Sequence, residues 1–225
     1  QTYRKIELII VDDASTDKSL EIAEAAAKKD GRINIIKHQT NKNLPASLNT
    51  GHRAAKGEFL TWISDDNYFA ETAIEIMLSK IREDKKDVVY TDYETVDSSD
   101  EVQRRVKLGH HIGILGNTVG ACFLYKKEVF QRNKGYNESL HTVEDFDFWL
   151  QASIHSKFQH IPQSLYFYRL HKASLTYGIQ ANKNDDYRQK LRNSYSRFFK
   201  SYKVDRVRMT EIFIKLNQND MVSVR

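Results

Sequence analysis

The fold of this chain is decided by the stretch Phe59-Leu60-Thr61-Trp62-Ile63-Ser64-Asp65-Asp66-Asn67-Tyr68. Its first part has the length and the apolar, β-branched composition of a strand that is buried on both faces. An unpaired carboxylate inside such a strand would cost several kcal/mol. We therefore expect Asp65 and Asp66 at the carboxyl end of the strand, where open α/β sheets bind their ligands.

The two adjacent carboxylates suggest a cation site. They repel each other, and a bound cation is the simplest relief. Oxygen ligands suit Mg²⁺ or Mn²⁺, which usually keep several waters and bridge to phosphate groups. The alternative is an acidic turn that only ends a strand, and this stretch by itself does not separate the two explanations.

On both sides of this stretch, strand-like and helix-like patterns alternate at short spacing. The alternation predicts an α/β fold with a mostly parallel, doubly wound sheet and helices on both faces. The chain opens directly on a strand, so we expect an opening strand and helix of the domain to be missing. The predicted strands are 6–11, 32–37, 59–64 and 87–91, and the predicted helices are about 17–29, 45–55 and 71–83.

After Tyr93 the alternation breaks down. Residues 98–116 are polar and interrupted by glycine, which predicts a long loop. A helix is predicted to begin near Thr142, with Thr142 as its N-cap and acidic residues in its first turns. The other elements predicted here are strands 121–125 and 164–169 and helices 127–133, 184–203 and 206–217.

The composition is that of a soluble globular protein. The 225 residues are 40% hydrophobic and 29% charged, which suits one large domain or a domain with an appendage. The sequence has no apolar run of about 18 residues and no signal peptide, so we expect a cytoplasmic protein. The single cysteine, Cys122, excludes an internal disulfide framework and is expected to be a buried filler.

The net charge of +5 is concentrated at the carboxyl end of the chain. Residues 183–225 hold eleven Lys/Arg against five Asp/Glu, whereas the rest of the chain is nearly neutral. We expect this basic tail to be a solvated helical face, with peripheral contact to an anionic membrane surface as the alternative. Nucleic acid is not expected as a partner, because the basic residues are not interleaved with aromatic ones in the sheet.

Four motifs follow one another along the chain: Leu8–Asp17, Gly57–Asn67, Val143–Trp149 and Tyr168–Thr176. In kind and in order they resemble the motifs of family 2 glycosyltransferases with the Rossmann-like GT-A fold, in the variant form of spore-coat-type members. The resemblance implies a GT-A domain over 1–176, with a nucleotide-binding part at about 1–95 and an acceptor part at about 96–176, followed by the basic helical tail 177–225. One departure is Ser64, which stands where the family has the first carboxylate of its metal motif.

The resemblance implies an inverting transferase that moves a sugar from a nucleotide-sugar donor, expected to be a UDP-sugar, to an acceptor hydroxyl. The implied acceptor is a glycan or a lipid-linked molecule in the synthesis of bacterial surface polysaccharide. The implied cofactor is Mn²⁺ or Mg²⁺.

The resemblance also gives each nucleotide-side residue an implied role. Asp13 would accept a hydrogen bond from the uracil N3–H, with Asp12 beside it. Asp66 and His171 would hold the metal, and Asp65 would lie nearer to the ribose. The alternatives are that Asp12 and Asp13 only cap the following helix and that His171 is an ordinary histidine at a strand end.

On the acceptor side, the resemblance makes Asp145 the general base that removes the proton of the attacking hydroxyl, with Glu144 orienting it. The alternative is that Glu144, Asp145 and Asp147 only stabilise the positive end of a helix.

Two rival functions remain open on the sequence: another α/β nucleotide-binding protein, such as a nucleotidyltransferase, and an inactive sugar-nucleotide-binding module. A dehydrogenase is excluded, because no Gly-x-Gly-x-x-Gly turn follows a strand.

Overall fold

The structure, a computed structural model, describes residues 1–109, 119–172 and 185–202. Within these ranges strands and helices alternate through the first half of the chain, as predicted. The strands are β1 (Leu8–Asp12), β2 (Ile33–Lys37), β3 (Phe59–Leu60), β4 (Tyr68–Phe69), β5 (Val88–Val96), β6 (Val102–Val106), β7 (Phe123–Lys126) and β8 (Phe158–Arg169). The helices are α1 (Ser19–Ala27), α2 (Asn43–Ala54), α3 (Ala73–Glu83), α4 (Lys127–Asn133), α5 (Glu144–Ala152) and α6 (Asp185–Tyr202), with a 3₁₀ turn at Glu138–Leu140.

The strands of the described residues form two sheets. Strands β1 and β2 make a parallel pair, and the other six form a sheet of order β3-β7-β5-β8-β4, in which β6 also pairs with β5. Of the pairings in the larger sheet, β5–β8 is parallel, whereas β3–β7, β4–β8, β5–β6 and β5–β7 are antiparallel.

The α/β fold is therefore confirmed, but the expectation of a mostly parallel sheet was wrong within the described residues. The parallel prediction came from the strand–helix alternation of the first 95 residues. The later strands β6 and β7 both run antiparallel to β5, along one edge of that strand. Their direction depends on long-range pairing, which the local pattern does not report.

Several boundaries also differ from the sequence predictions. The polar segment predicted as a loop contains β6, a largely exposed strand with little hydrophobic signal. Strand β3 ends at Leu60 instead of continuing to 64, and β8 begins at Phe158 instead of 164. The predicted helix 206–217 lies outside the described residues.

Strand β5 organises the core because its residues alternate between two apolar clusters. Val88 and Tyr90 join a cluster with residues of α2, α4 and α5, including Phe148 and Trp149. Val89 joins the opposite cluster, in which α3 packs on the sheet and which also holds the buried thiol of Cys122. Helices thus cover both faces of the sheet, as predicted. No helix among the described residues is both long and apolar enough to cross a bilayer.

Candidate active site

Asp13 lies directly after β1, and its carboxylate is held by the chain that follows β2. Because Asp12 pairs with Lys37 in the parallel ladder, the next residues, Asp13 and His38, leave the sheet side by side. Asp13 Oδ1 accepts hydrogen bonds from His38 Nδ1 at 2.6 Å and from the amide of Lys42 at 2.9 Å. Oδ2 accepts a longer bond, 3.1 Å, from the same Lys42 amide.

The electrostatics of Asp13 favour the ionised carboxylate. Burial raises the pKa of Asp13, but the hydrogen bonds from His38 and the Lys42 amide outweigh burial, so the pKa lies below its ordinary value. Asp13 also does not cap α1, since the first amide of that helix, at Ser19, donates to Asp17 Oδ1 at 2.9 Å. Asp12 is buried at the end of β1.

Asp65 and Asp66 lie in a turn after β3. The turn is closed by the Asn67 amide, which donates to the Ser64 carbonyl at 3.3 Å. Asp65 is exposed on this turn, whereas Asp66 is partly buried. Both carboxylates thus follow the strand, but four residues of irregular backbone separate them from its end.

Asp66 contacts His171, which follows β8. His171 Nε2 and Asp66 Oδ2 are 2.8 Å apart, and the two side chains are 35% and 28% exposed. Among the described residues, the other oxygen, Asp66 Oδ1, is buried and has no hydrogen-bond partner. Once Nε2 released the proton that it shares with Asp66, the imidazole and the carboxylate oxygen with unused lone pairs would form a donor set that fits Mn²⁺.

This pair offers two ligands. No group of three or more His, Cys, Asp or Glu side chains that could hold a metal ion occurs in the described part of the chain. Water and phosphate would complete the coordination of a cation held by Asp66 and His171 in the usual arrangement for Mg²⁺-type sites.

Arg169 fixes the turn that carries Asp66. Its Nε donates to the Asp66 carbonyl at 3.0 Å, and its backbone amide donates to Asn67 Oδ1 at 2.8 Å. The other arm of the guanidinium reaches the turn between β5 and β6, where it donates to the Asp97 carbonyl at 2.8 Å and to Asp100 Oδ1 at 2.6 Å. The guanidinium therefore ties three segments together.

Glu144 begins α5 and is almost completely buried. Its Oε2 accepts a hydrogen bond of 2.6 Å from the Thr142 amide. Burial, and after it the neighbouring charge of Asp145, raises the pKa of Glu144 to about 7.

The prediction that Thr142 caps this helix was wrong. The N-cap is Val143, and Thr142 has a φ of 84°, a left-handed conformation that is rare for a threonine. An N-cap threonine would accept a hydrogen bond from a backbone amide of the helix. Here the backbone amide of Thr142 instead donates to the side chain of Glu144, the first residue of the helix.

Asp145 is partly exposed, and its Oδ1 accepts a hydrogen bond of 2.7 Å from the Phe146 amide. The negative charge of Asp145 affects the pKa of two tyrosine hydroxyls. Burial raises the pKa of Tyr136 and of Tyr187, and the Asp145 charge raises both further. Asp145 thus lies at the start of α5, close enough to tyrosines of two other segments for its charge to act on them.

Helix α6, from the region predicted only as a basic tail, packs against α5. The Arg197 guanidinium lies 3.0 Å from Asp147 Oδ2, and the rings of Tyr195 and Phe146 are 5.3 Å apart. Burial raises the pKa of Asp147 to about 6, and the Arg197 charge opposes that rise. Sequence reasoning missed this contribution, because no local pattern pairs α6 with α5.

An aromatic and amide network connects the predicted site segments. The Trp62 indole donates to the Tyr136 hydroxyl at 3.0 Å, and the Tyr136 ring stacks on Phe148 at 4.3 Å. Asn49 of α2 bonds both backbone groups of Tyr136, at 2.8 and 2.9 Å. His38 Nε2 in turn lies 3.0 Å from the hydroxyl of Thr50, the next residue of α2.

The structure therefore connects the segments of Asp13, Asp66 and Asp145 through α2 and Tyr136, and brings Asp66 and His171 into direct contact. Sequence reasoning missed the connecting residues, Asn49 and Tyr136, which are 87 residues apart. The arrangement combines an ionised acceptor after β1, an aspartate–histidine contact on the turns after β3 and β8, and a partly exposed carboxylate on α5.

Comparison with known proteins gives a family match. The family model "Glycosyl transferase family 2" matches residues 1–155. The uncharacterized glycosyltransferase EpsJ of Bacillus subtilis is 28% identical over 221 residues, which cover 90% of this chain and 63% of EpsJ. The putative glycosyltransferase EpsH of the same organism is 32% identical, over 80% of this chain and 57% of EpsH. The chain thus spans less than two thirds of the length of either relative.

Solved structures show the same fold. A crystal structure of S. aureus TarS 1-349 in complex with UDP-GlcNAc has a TM-score of 0.69 and 20% identity, and the match covers 84% of this chain and 56% of that chain. The same fragment in complex with UDP has a TM-score of 0.65, with coverage of 94% and 70%. This likeness confirms a fold of the GT-A type.

Proposed function

The chain belongs to glycosyltransferase family 2, and from this premise we propose that it transfers a sugar from a UDP-sugar to an acceptor hydroxyl with inversion of the anomeric centre. The observation that carries the proposal is the Asp66–His171 pair, with its buried carboxylate oxygen that has no partner among the described residues. Such a pair would bind the cation that accompanies a diphosphate. TarS, which shares the fold, has been crystallised with UDP-GlcNAc.

We assign the nucleoside end of the donor to the Asp13 side of the site. An ionised carboxylate accepts hydrogen bonds and cannot donate them. Asp13 therefore suits a base that presents an N–H, as uracil does at N3. In this proposal Asp12, buried at the end of β1, supports Asp13, and Asp65, exposed on its turn, is assigned to the ribose.

Asp66 and His171 would hold Mn²⁺ or Mg²⁺ in this proposal. When bound, the cation supplies Lewis-acid neutralisation of the charge that develops on the departing nucleoside diphosphate. Arg169 keeps the Asp66 turn in place for this task through the bonds at the Asp66 carbonyl and Asn67.

We assign the proton transfer to Asp145. The acceptor oxygen attacks the anomeric carbon, the bond from that carbon to the diphosphate oxygen breaks, and the electron pair leaves with the diphosphate. The proton of the acceptor hydroxyl passes to the Asp145 carboxylate, which acts as general base. Glu144, held by the Thr142 amide, fixes the start of α5 and thereby the position of Asp145.

The acceptor is proposed on the resemblance to family members alone. It is a glycan or a lipid-linked saccharide, and the setting is the synthesis of bacterial surface polysaccharide in the cytoplasm or at the inner face of the membrane.

The proposal is tested by turnover of UDP-sugars, with Asp145→Asn as the decisive variant. We expect it to keep UDP binding while turnover falls by about 10²- to 10⁴-fold, the usual contribution of a general base. The control is Glu21→Gln, which removes an exposed acid from the first turn of α1. If Asp145→Asn and Glu21→Gln lost turnover equally, Asp145 would only stabilise a helix end. If the wild type bound UDP but showed no turnover, the chain would be a binding module.

A further inference from the structure

His38 occupies an unusual position between a predicted ligand contact and a helix. Its side chain is only 5% exposed, and that of Asp13 is 19% exposed. One ring nitrogen, Nδ1, lies 2.6 Å from Asp13 Oδ1, and the other, Nε2, lies 3.0 Å from Thr50 Oγ1. The imidazole therefore bridges the end of β1 and the middle of α2.

The chemistry of the two partners fixes the roles of the ring nitrogens. An ionised carboxylate only accepts hydrogen bonds, so Nδ1 carries the proton that Asp13 receives. In the neutral ring Nε2 is then an acceptor, and the Thr50 hydroxyl can donate to it. Asp13 thus selects the tautomer, and the Thr50 hydroxyl, which can donate as well as accept, complements it and holds the ring in place.

The two oxygens of Asp13 are used unequally. Oδ1 receives two short bonds, from His38 and from the Lys42 amide, at 2.6 and 2.9 Å. Oδ2 receives the longer arm of the Lys42 bond at 3.1 Å. A carboxylate oxygen can accept two hydrogen bonds. The Asn43 amide also lowers the pKa of this carboxylate, but the hydrogen bond from Lys42 to Oδ2 is longer than the bonds to Oδ1, so Oδ2 keeps more accepting capacity for a ligand.

We propose that His38 and Thr50 are positioning residues, which turn Asp13 Oδ2 towards the nucleobase and so set the preference of the enzyme for uracil over cytosine. This inference rests on the proposed function, in which Asp13 accepts the N3–H of the base. Uracil offers a donor at N3, whereas cytosine offers an acceptor there. A carboxylate held rigidly opposite that position therefore accepts one base and repels the other.

Two substitutions of His38 separate its two contacts. In His38→Asn the side-chain amide nitrogen stands close to the place of Nδ1 in the original ring, so this variant keeps the bond to Asp13. In His38→Gln the longer side chain reaches towards Thr50 and loses the bond to Asp13. Calorimetric titration with UDP and CDP then gives the ratio of the two affinities for each variant.

We expect the wild type to prefer UDP, and His38→Gln to lower the UDP-to-CDP affinity ratio by about tenfold, the size of one hydrogen bond to a charged group. His38→Asn should keep most of the wild-type ratio. A purely structural histidine would lower the unfolding temperature in both variants and leave the ratio unchanged, and this result would overturn the inference.

Further variants keep the test decisive if His38→Gln does not fold. Thr50→Val removes the hydroxyl from the ring at similar volume and should lower the ratio, whereas Thr50→Ser should not. His155→Gln is the matched control, because His155 is exposed. A wild type that does not bind UDP would overturn the proposed function together with this inference. Selective UDP binding that both His38→Gln and Thr50→Val retain would overturn this inference alone.

Discussion

Two aspartate–histidine pairs of this molecule share their geometry and differ in their surroundings. Asp66 and His171 are 2.8 Å apart, and Asp92 and His160 are 2.7 Å apart. The first pair lies on turns beyond β3 and β8 and is 28% and 35% exposed. The second lies inside the large sheet, where both side chains are 3% exposed.

The difference lies in how the carboxylate oxygens are used. Asp92 Oδ1 also accepts from the Leu108 amide at 2.9 Å, and Oδ2 lies 3.4 Å from the Arg105 guanidinium. Burial raises the pKa of Asp92, but the Leu108 amide and His160 outweigh burial, so the pKa lies below its ordinary value. Asp66 instead keeps one oxygen without a partner among the described residues.

Two pairs with the same residue types thus differ in whether they can bind a ligand, so residue type alone does not identify a ligand site. A buried pair whose oxygens are satisfied holds strands together, because each lost partner would leave a buried charge. A partly open pair with a spare oxygen can accept a ligand. We therefore assign Asp92–His160 to stability and Asp66–His171 to binding, and the predictions below test this assignment.

The largest effect is expected for Asp66→Asn. The change replaces an anionic oxygen by a neutral amide while its volume stays nearly the same. Turnover of a UDP-sugar should fall by about a thousandfold, since the electrostatic contribution of a metal ion is several kcal/mol. The unfolding temperature should hardly change, because the side chain is partly exposed. Wild-type turnover in this variant would end the assignment of Asp66 to the site.

The next largest effect is expected on stability for Asp92→Leu. Removal of Asp92 leaves His160, Arg105 and the Leu108 amide without the carboxylate that they share. The free energy of unfolding in urea should fall by about 4 kcal/mol, the usual cost of breaking a buried pair. The folded fraction should bind Mn²⁺ as the wild type does, and a selective loss of Mn²⁺ binding would reverse the comparison.

Glu144 adds a third carboxylate to this comparison. It is buried like Asp92, but its hydrogen-bond partner is the backbone amide of Thr142. Its pKa is about 7 in the folded protein, above the ordinary value of 4.5, because burial and then Asp145 disfavour the charge. The folded state therefore holds a proton that the unfolded chain releases between these two pH values. Stability should fall as pH rises through this window, by about 3 kcal/mol in total, and should level off above it.

The variant Glu144→Gln isolates that titration, because glutamine keeps an oxygen for the Thr142 amide and does not ionise. The difference between its stability–pH profile and that of the wild type should rise between pH 4.5 and 7. A flat difference would show that Glu144 titrates alike in the folded and unfolded chains.

The smallest effect is expected for Arg169→Lys, which keeps the charge and loses the planar fork that ties the Asp66 turn to the turn between β5 and β6. We expect the affinity for Mn²⁺ to fall by about tenfold, as is typical when a residue that supports a metal ligand is changed. Arg132→Lys is the matched control, since Arg132 bonds His155 and Ser156 elsewhere on the surface. Equal affinities in the two variants would contradict the role of Arg169.

Much of the first half of the fold could be predicted from the sequence. Helices α1 and α3 follow from their apolar faces, and α2 follows from Pro45 near its start and Gly57 after its end. The acidic residues after β1 and β3 mark the ends of strands. The antiparallel course of β6 and β7 was not predictable, because strand direction is set by pairing with β5 and not by local composition. Strand β6 in particular is polar and exposed, so it shows no hydrophobic pattern.

The site shows the same division between local and long-range information. Asp13, Asp66 and Asp145 could be proposed from motifs, because each stands beside a recognisable strand or helix. His38 was missed. Because β1 and β2 are parallel and Asp12 pairs with Lys37, the residues that follow this last pair, Asp13 and His38, lie side by side. Tyr136, Asn49 and the helix α6 were missed because their contacts join segments far apart in the chain, and no local pattern carries that information.

Calorimetric titration of UDP, once with Mn²⁺ and once with a chelator, tests the claim that Asp66 and His171 hold a cation for a nucleoside diphosphate. We predict that Mn²⁺ strengthens UDP binding by the wild type by about tenfold or more and that Asp66→Asn removes this gain. Equal UDP affinity with and without Mn²⁺, or a full gain in the variant, would contradict the claim.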